Sequence, residues 1–261
     1  MKYAKKSLGQ NFLSDPNIIK KIINLTEINN RNIVEIGPGK GALTEEILKR
    51  QPKSLLLIEK DFNLATKLKK KYLNNKIVKI KNADILKFDL KNFNIRNQAI
   101  FGNLPYNISS QILVKFLQFK KWPPKYSDLI FMFQKELGEK IIGNFSTKHY
   151  GRLSILTNYR LNVLKKFLVS PNCFFPKPKI TSMVIQFQPK KRELYHIKNI
   201  INLEKITNII FSNRRKMINK SIKKILSPEE IKRITDLKLN FRASEIKPEI
   251  YYRITEIYEN K

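Results

Sequence analysis

Asn32-Ile33-Val34-Glu35-Ile36-Gly37-Pro38-Gly39-Lys40-Gly41-Ala42-Leu43-Thr44-Glu45-Glu46-Ile47-Leu48 is the stretch on which the fold turns. Its first five residues form a short apolar run. Three of the chain's 8 glycines then fall within five residues, at Gly37, Gly39 and Gly41. Leu43, Ile47 and Leu48 recur at helical spacing, and Glu45 and Glu46 lie in the first turns, where the helix dipole favours acids. The reading is strand, glycine loop, helix. Glycine there permits positive φ and lets a ligand approach the backbone at a helix N-terminus. Two ligand classes fit. Gly37-x-Gly39-x-x-Ala42 matches the dinucleotide fingerprint, with Glu59 about 20 residues on as a ribose-binding acid. An S-adenosylmethionine site uses the same architecture.

The same logic extends on both sides. Asp15 caps and Pro16 opens a helix carrying Ile18, Ile19, Ile22 and Ile23. Ser54–Ile58, Ile77–Ile80, Gln98–Phe101 and Asp128–Phe133 are further short apolar runs, with helices expected over Phe62–Tyr72 and Ser109–Lys120. Strands alternating with helices predict a parallel sheet with helices on both faces, a Rossmann-like α/β fold. Val163–Val169 and Ser182–Phe187 are expected to add strands at one edge by antiparallel pairing. After Pro189 the period becomes helical throughout. Leu203, Ile206, Ile209 and Ile210 form one stripe, and Met217, Ile218, Ile222, Ile225 and Leu226 a second. Ser227-Pro228-Glu229-Glu230 is a capping box. The expectation is one domain over 1–189 and a small all-helical domain over 190–261.

Composition bounds the function. With 42% apolar and 28% charged residues the chain is globular rather than disordered. No apolar run is long enough to span a membrane, and the N-terminal residues lack the apolar stretch of a signal peptide, so a cytoplasmic protein is expected. One cysteine and 2 histidines argue against a disulfide framework or a metal centre. The 52 Lys and Arg against 21 Asp and Glu leave a net charge of +31, spread over both halves of the chain. Part of that excess follows from a Lys-, Ile- and Asn-rich composition of the A/T-biased kind. A field of this sign still draws in polyanions, and nucleic acid is the expected partner.

Three acids in this acid-poor chain fall at or beside strand ends: Glu35, Glu59 and Asp84. Carboxyl ends of successive parallel strands form the crevice where open α/β sheets bind ligands. There Glu59 is expected to hold a ribose diol and Asp84 an adenine exocyclic amine. Asn103-Leu104-Pro105-Tyr106, after the fourth strand, separates the two cofactor classes. Hydride transfer has no use for it, whereas methylation of an exocyclic amine does. The N6 lone pair of adenine is delocalised into the ring and must be localised before it attacks. The Asn103 side-chain oxygen and the Leu104 carbonyl can each accept one N6–H bond, Pro105 stiffens the turn, and Tyr106 offers a ring for stacking.

At this point the chain resembles the ribosomal RNA adenine N6,N6-dimethyltransferase family, and is most similar to its bacterial small-subunit branch. The resemblance rests on Ser7–Leu13, Val34–Thr44, Phe101–Ser109, Phe131–Ile141, Tyr150–Ser154, Phe174–Ser182 and Phe211–Lys216, and so covers nearly the whole chain. It implies S-adenosylmethionine as cofactor, with contacts at Asn11, Leu13, Gly37, Glu59, Asp84 and Asn103. It implies that Phe174, with the adjacent Phe175 as the alternative, faces a flipped adenine opposite Tyr106, completing a catalytic set of Asn103, Leu104, Tyr106 and Phe174. The implied substrate is two adjacent adenosines in a 3′-terminal hairpin loop of 16S rRNA, within the maturing small subunit, with no membrane, metal or obligate protein partner. Lys5, Lys6, Arg214, Arg215 and Lys216 are the expected RNA contacts. The rival readings are a branch acting on large-subunit rRNA, which Phe211–Lys216 and its following helices argue against, and an assembly factor that kept the fold and lost catalysis.

Overall fold

A computed structural model describes residues 11–89, 95–191 and 195–261. They divide into two compact units, one of the described residues up to 138 with 163–189 and one of 139–162 with those from 190 on. The expected domain limit at 189 is thus one of the crossings. Segment 139–162, expected in the first domain, packs instead with the second.

The first unit begins with β1 (Phe12–Leu13) and α1 (Pro16–Ile23) and continues through β2 (Asn32–Ile36), α2 (Ala42–Lys49), β3 (Ser54–Glu59), α3 (Phe62–Lys71) and β4 (Val78–Asn82). It goes on with β5 (Gln98–Asn103), α4 (Ser109–Leu117), β6 (Tyr126–Gln134) and the start of α5 (Lys135–Ile141), which runs past the division at 138; β7 (Leu161–Val169), which rejoins this unit at 163, β8 (Phe174–Phe175) and β9 (Ser182–Pro189) complete the strands. Caps account for several boundaries. The Asp15 carboxylate accepts from the Asn17 and Ile18 amides at 2.8 and 3.1 Å, and Asp61 caps α3 through the Asn63 and Leu64 amides.

Seven strands form one sheet in the order β4-β3-β2-β5-β6-β9-β7. Pairing is parallel from β4 through β6, and β9 lies antiparallel to β6. Right-handed crossovers put α2 and α3 on one face. The chain then passes to the other side of β2, so α4 crosses on the opposite face. Strands β5 and β6 are buried almost throughout, as expected of apolar runs covered on both sides. The expected edge strands both form, but β9 is inserted against β6 and β7 is outermost. No helix among the described residues is long and apolar enough to cross a membrane.

The second unit contains α6 (Arg152–Arg160), α7 (Ile200–Phe211), α8 (Asn219–Ile222), α9 (Pro228–Lys232) and α10 (Pro248–Glu259). Ile155, Leu156 and Tyr159 of α6 are buried, and α6 meets α7 and α10, which is why 139–162 joins this unit. Buried tyrosines brace it through main-chain oxygens: Tyr150 to Ile246 at 2.8 Å, Tyr251 to Ala243 at 2.7 Å and Tyr252 to Ile155 at 3.1 Å. The Ser227–Glu230 capping box forms as read. The stripe expected from Met217 to Leu226 is not one helix. Met217 is 56% exposed and bridges Arg242 as an extended residue, and Ile218 donates to Phe241 O, so helical pairing begins only at Asn219.

Two polar ties hold the sheet unit. Glu35, in β2, is fully buried and accepts a 2.6 Å bond from the Thr44 hydroxyl of α2, across the glycine turn. Burial pushes its carboxyl up to about 8, with the Thr44 bond opposing and the Glu59 charge adding. Asp128, in β6, is 3% exposed and accepts from Arg31 at 2.9 Å, Ser127 at 2.8 Å and Gln186 of β9 at 3.1 Å. Burial alone would raise its pKa, but these donors outweigh it and hold the group below its ordinary 3.8.

Replacing Asp128 with alanine leaves the Arg31 guanidinium buried without its counter-charge. The expected loss is about 3–5 kcal/mol in urea unfolding of the sheet unit. Because the folded-state pKa is depressed, the native contribution is complete above 3.8 and fades as pH falls through the lower folded value. Glu35 has the opposite sign. Its folded state keeps a proton that the unfolded chain releases above 4.5, so stability declines as pH rises from 4.5 to about 8 and is level beyond. Glu35→Gln removes this slope of roughly 1.4 kcal/mol per pH unit. Urea midpoints at pH 5 to 8 should therefore show the variant gaining on the parent as pH rises; parallel curves would refute the buried neutral carboxyl.

Candidate active site

Strand β2 ends at Ile36 opposite Gly102 of β5, the point at which the strand order reverses. Both chains turn outward there, and the cleft between them is where a doubly wound sheet binds ligands. It holds a cavity of about 150 Å³, bounded by the Gly37–Lys40 turn, the ends of β3 and β4, the Asn103–Ile108 loop and β1.

The turn is built from positive φ: +67° at Gly37, +59° at Gly39 and +88° at Gly41, which caps α2. At Gly39 a Cβ would also come within 2.9 Å of the Phe12 ring, so a side chain is excluded on two grounds. The Gly37 amide donates to Ile58 O at 2.9 Å, tying the turn to β3. Glu59 closes the same strand. Its Oε2 accepts from the Gly39 amide at 3.1 Å and its Oε1 from the Asp61 amide at 2.8 Å. It is 6% exposed; burial raises its pKa above the ordinary 4.5 against the pull of those donors. Each oxygen keeps a lone pair for a ligand hydroxyl. Asp84, just past β4, pairs with Lys60 at 2.8 Å and accepts from the Leu86 amide at 2.9 Å. The Lys60 bond holds it below the ordinary 3.8.

Across the cleft, the Asn103 side-chain nitrogen donates to Asn11 O at 3.0 Å. That bond fixes which end of the amide is which and leaves Oδ1 as an acceptor. Leu104 is 2% exposed, so its side chain anchors the loop. Tyr106 is half-buried, and its hydroxyl shares a 2.6 Å hydrogen bond with Ser182 at the start of β9. Burial raises its pKa, with the Ser182 bond opposing. The ring is therefore pinned while it borders the cleft.

The structure thus gathers Asn11, Leu13, Gly37, Glu59, Asp84, Asn103, Leu104 and Tyr106 around one cleft. It does not gather Phe174. That ring is 4% exposed and packs in the core with Leu13, Val169, Cys173 and Val184. Cross-strand alternation is the reason: Phe174 pairs with buried Leu13, whereas Phe175 pairs with Phe12 and is 61% exposed. The expectation that Phe174 stands against a base opposite Tyr106 is corrected accordingly. Glu35 borders the cleft but spends its hydroxyl partner on fold, as described above. Lys5 and Lys6 lie outside the described residues. Arg215 and Lys216 are exposed on the helical unit, while Arg214 donates to Lys148 O and Tyr150 O at 3.2 and 3.0 Å and so also braces that unit. Sequence reasoning missed the Lys60–Asp84 pair and the Ser182 anchor. Only adjacency to Glu59 could have flagged Lys60, and nothing local signals Ser182. No group of His, Cys, Asp and Glu able to hold a metal ion occurs among the described residues.

Comparison with known proteins gives a consistent picture. The ribosomal RNA adenine dimethylase family model matches residues 1–260. Ribosomal RNA small subunit methyltransferase A of Pelagibacter ubique is 43% identical over 258 residues, covering 98% of this chain and 97% of the relative. The protein of the same name from Malacoplasma penetrans is 38% identical, covering 97% and 91%. Among solved structures, a dimethyladenosine transferase from Plasmodium falciparum superposes with a TM-score of 0.75 at 22% identity, covering 93% of this chain and 95% of that one. The 23S rRNA methyltransferase ErmE does so with 0.70 at 23%, covering 95% and 100%. At these identities the two structures speak for the fold, a Rossmann-like methyltransferase sheet with a helical C-terminal part. The chain belongs to the ribosomal RNA adenine dimethylase family and is, with it, an enzyme that transfers methyl groups from S-adenosylmethionine to rRNA.

Proposed function

We propose that this enzyme dimethylates N6 of two adjacent adenosines in the 3′-terminal hairpin loop of small-subunit rRNA, in the cytoplasm, on a maturing subunit and with no obligate protein partner. The observation that carries the chemistry is the Asn103 amide, held by Asn11 O with its own oxygen left to accept. The assignment to the small subunit is supported by relatives of that name at up to 43% identity over nearly the full chain.

The residues of the cleft fit the cofactor. Glu59 would receive the ribose hydroxyls on the lone pairs its two amide donors leave free, and Asp84 the adenine amine, with Asn11, Leu13 and Gly37 closing around the rest. Bound S-adenosylmethionine supplies an electrophilic methyl on a positively charged sulfur. The chain's own work is on the nucleophile. An adenosine leaves its stack at a cost of a few kcal/mol, lower in a hairpin loop than in a duplex. Tyr106 recovers roughly 1–3 kcal/mol by stacking. Asn103 Oδ1 and Leu104 O accept the two N6–H bonds, which pyramidalises the nitrogen and turns its lone pair toward the glycine turn. The amine proton leaves to water after the N–C bond forms, so no strong base is required. Catalysis is positioning and electrostatic preorganisation. The monomethylated amine keeps one N–H for the same acceptors, which is what a second transfer needs.

Asn103→Ala should lower methyl transfer by on the order of 100-fold or more while RNA binding persists, read with a radiolabelled methyl donor on unmodified small subunits. Wild-type turnover would remove Asn103 from the mechanism. Mass mapping of the product nucleotides tests the substrate assignment directly: dimethyladenosine elsewhere than two neighbouring loop positions would overturn it. Arg215→Ala should weaken RNA association and lower the salt slope by about one. Arg214→Ala should in addition lower the thermal midpoint, because it releases the Lys148 and Tyr150 carbonyls.

A further inference from the structure

We infer that Phe175 and Lys40 form a stacking and charge site for the nucleotide flanking the adenosine that enters the cleft, an assignment that rests on the RNA-methylating reading above. The two-residue ladder of β1 and β8 sets Leu13 against Phe174 and Phe12 against Phe175. Alternation sends the first pair inward, at 5% and 4% exposure, and leaves Phe175 at 61%. Phe12 borders the cleft and lies so close to Gly39 that a Cβ there would meet its ring at 2.9 Å. Phe175 stands beside it, outside the residues that line the cleft, and extends its aromatic surface outward. The Lys40 ammonium lies 4.9 Å from the Phe12 ring centre and 5.8 Å from that of Phe175. Lys40 itself is exposed and borders the cleft, and Lys177, Lys179 and Ile180 continue the exposed run after Phe175.

This combination selects among partners. An apolar protein surface laid on Phe175 would strip water from Lys40 without returning a counter-charge. A single-stranded nucleotide satisfies both groups at once, its base on the ring and its phosphate on the ammonium. Position selects between bases. The pinned Tyr106 ring offers the stacking surface within the cleft, whereas Phe175 is outside and adjacent, where a neighbour of the extruded nucleotide would lie. An aromatic ring stacks on any base, so the site adds affinity without reading sequence.

The test uses the full-length enzyme and Phe175→Ala, Phe175→Trp and Lys40→Gln. Methyl transfer is followed on unmodified small subunits, S-adenosylmethionine affinity by calorimetry, and stacking by the fluorescence of a loop RNA carrying 2-aminopurine beside the target adenosine. Phe175→Ala should raise KM for RNA about 5- to 100-fold, leave kcat and cofactor affinity as they were, and abolish the quenching of 2-aminopurine. Phe175→Trp should restore both KM and quenching. Lys40→Gln should raise KM and lower the salt slope by about one. Unchanged KM and quenching in Phe175→Ala would overturn the proposal. So would a loss confined to kcat, which would put the ring on the target base, or a loss of cofactor affinity, which would put it in the cofactor site. If the wild-type enzyme transferred no methyl to subunits, the reading under Proposed function would fail, while the quenching contrast would still decide the Phe175 site.

Discussion

Parallel pairing of β2 with β5 is the constraint from which the site follows. Ile33, Val34, Glu35 and Ile36 lie opposite Ala99, Ile100, Phe101 and Gly102, so the two strands end side by side. The two loops that face each other across the cleft hang from those ends. The glycine turn leaves one and the Asn103 loop the other, and an added Cβ at Gly37 would sit 3.7 Å from Asn103 O. The spacing of donor and acceptor is therefore set by a hydrogen-bonded ladder buried on both faces, not by loop preference. A slip of one residue in that ladder would turn Glu35 and its neighbours to the wrong face, at a cost the buried core does not permit. Rigid strands presenting short loops are the general solution for holding reacting groups to within fractions of an ångström.

Much of this was legible in the sequence, and the parts that were share a property: their causes are local. Asp15-Pro16 and Ser227–Glu230 each fix a helix start through side-chain atoms two or three residues away, the glycine turn does so through the left-handed backbone of Gly41, and each falls where it was read. Strand β2 has the limits of its apolar run. What the sequence hid depends on distant partners. Segment 139–162 reads as more of the first domain, and only the burial of α6 against α7 and α10 assigns it elsewhere. The insertion of β9 beside β6 is a choice of edge that no short window contains. Phe174 and Phe175 are adjacent and chemically identical, so which one points inward is decided by register with Phe12 and Leu13, some 160 positions earlier. The cleft lining was more legible than the cleft's polar ties, because glycines and acids at strand ends are rare here, whereas lysines such as Lys60 are everywhere.

Charge is segregated in a way the net value conceals. A chain of +31 places Glu35, Glu59 and Asp128 in the interior of its sheet unit and Asp84 at the cleft wall. Their states differ because their partners differ. Glu35 has one hydroxyl and stays protonated near neutrality; Asp128 has a guanidinium and two further donors and stays charged. Glu59 and Asp84 are supported by backbone amides, Asp84 by Lys60 as well, and each retains capacity to accept more. Carboxylates placed at the cleft wall suit a cationic methyl donor locally, while the lysine-rich exterior suits a polyanion.

The route of the chain carries a last consequence. Because α6 belongs to the helical unit while β7 and β9, on either side of Pro171, return to the sheet, neither unit is a single stretch of polypeptide. A cut after Pro189 would not release a finished catalytic half. It would leave Ile155, Leu156 and Tyr159 without the helices that cover them, and a bare hydrophobic stripe of that kind invites aggregation. Ribosomal synthesis meets the same situation in passing: α6 emerges well before α7 and α10 exist, so the helical unit can close only when α10 has left the exit tunnel.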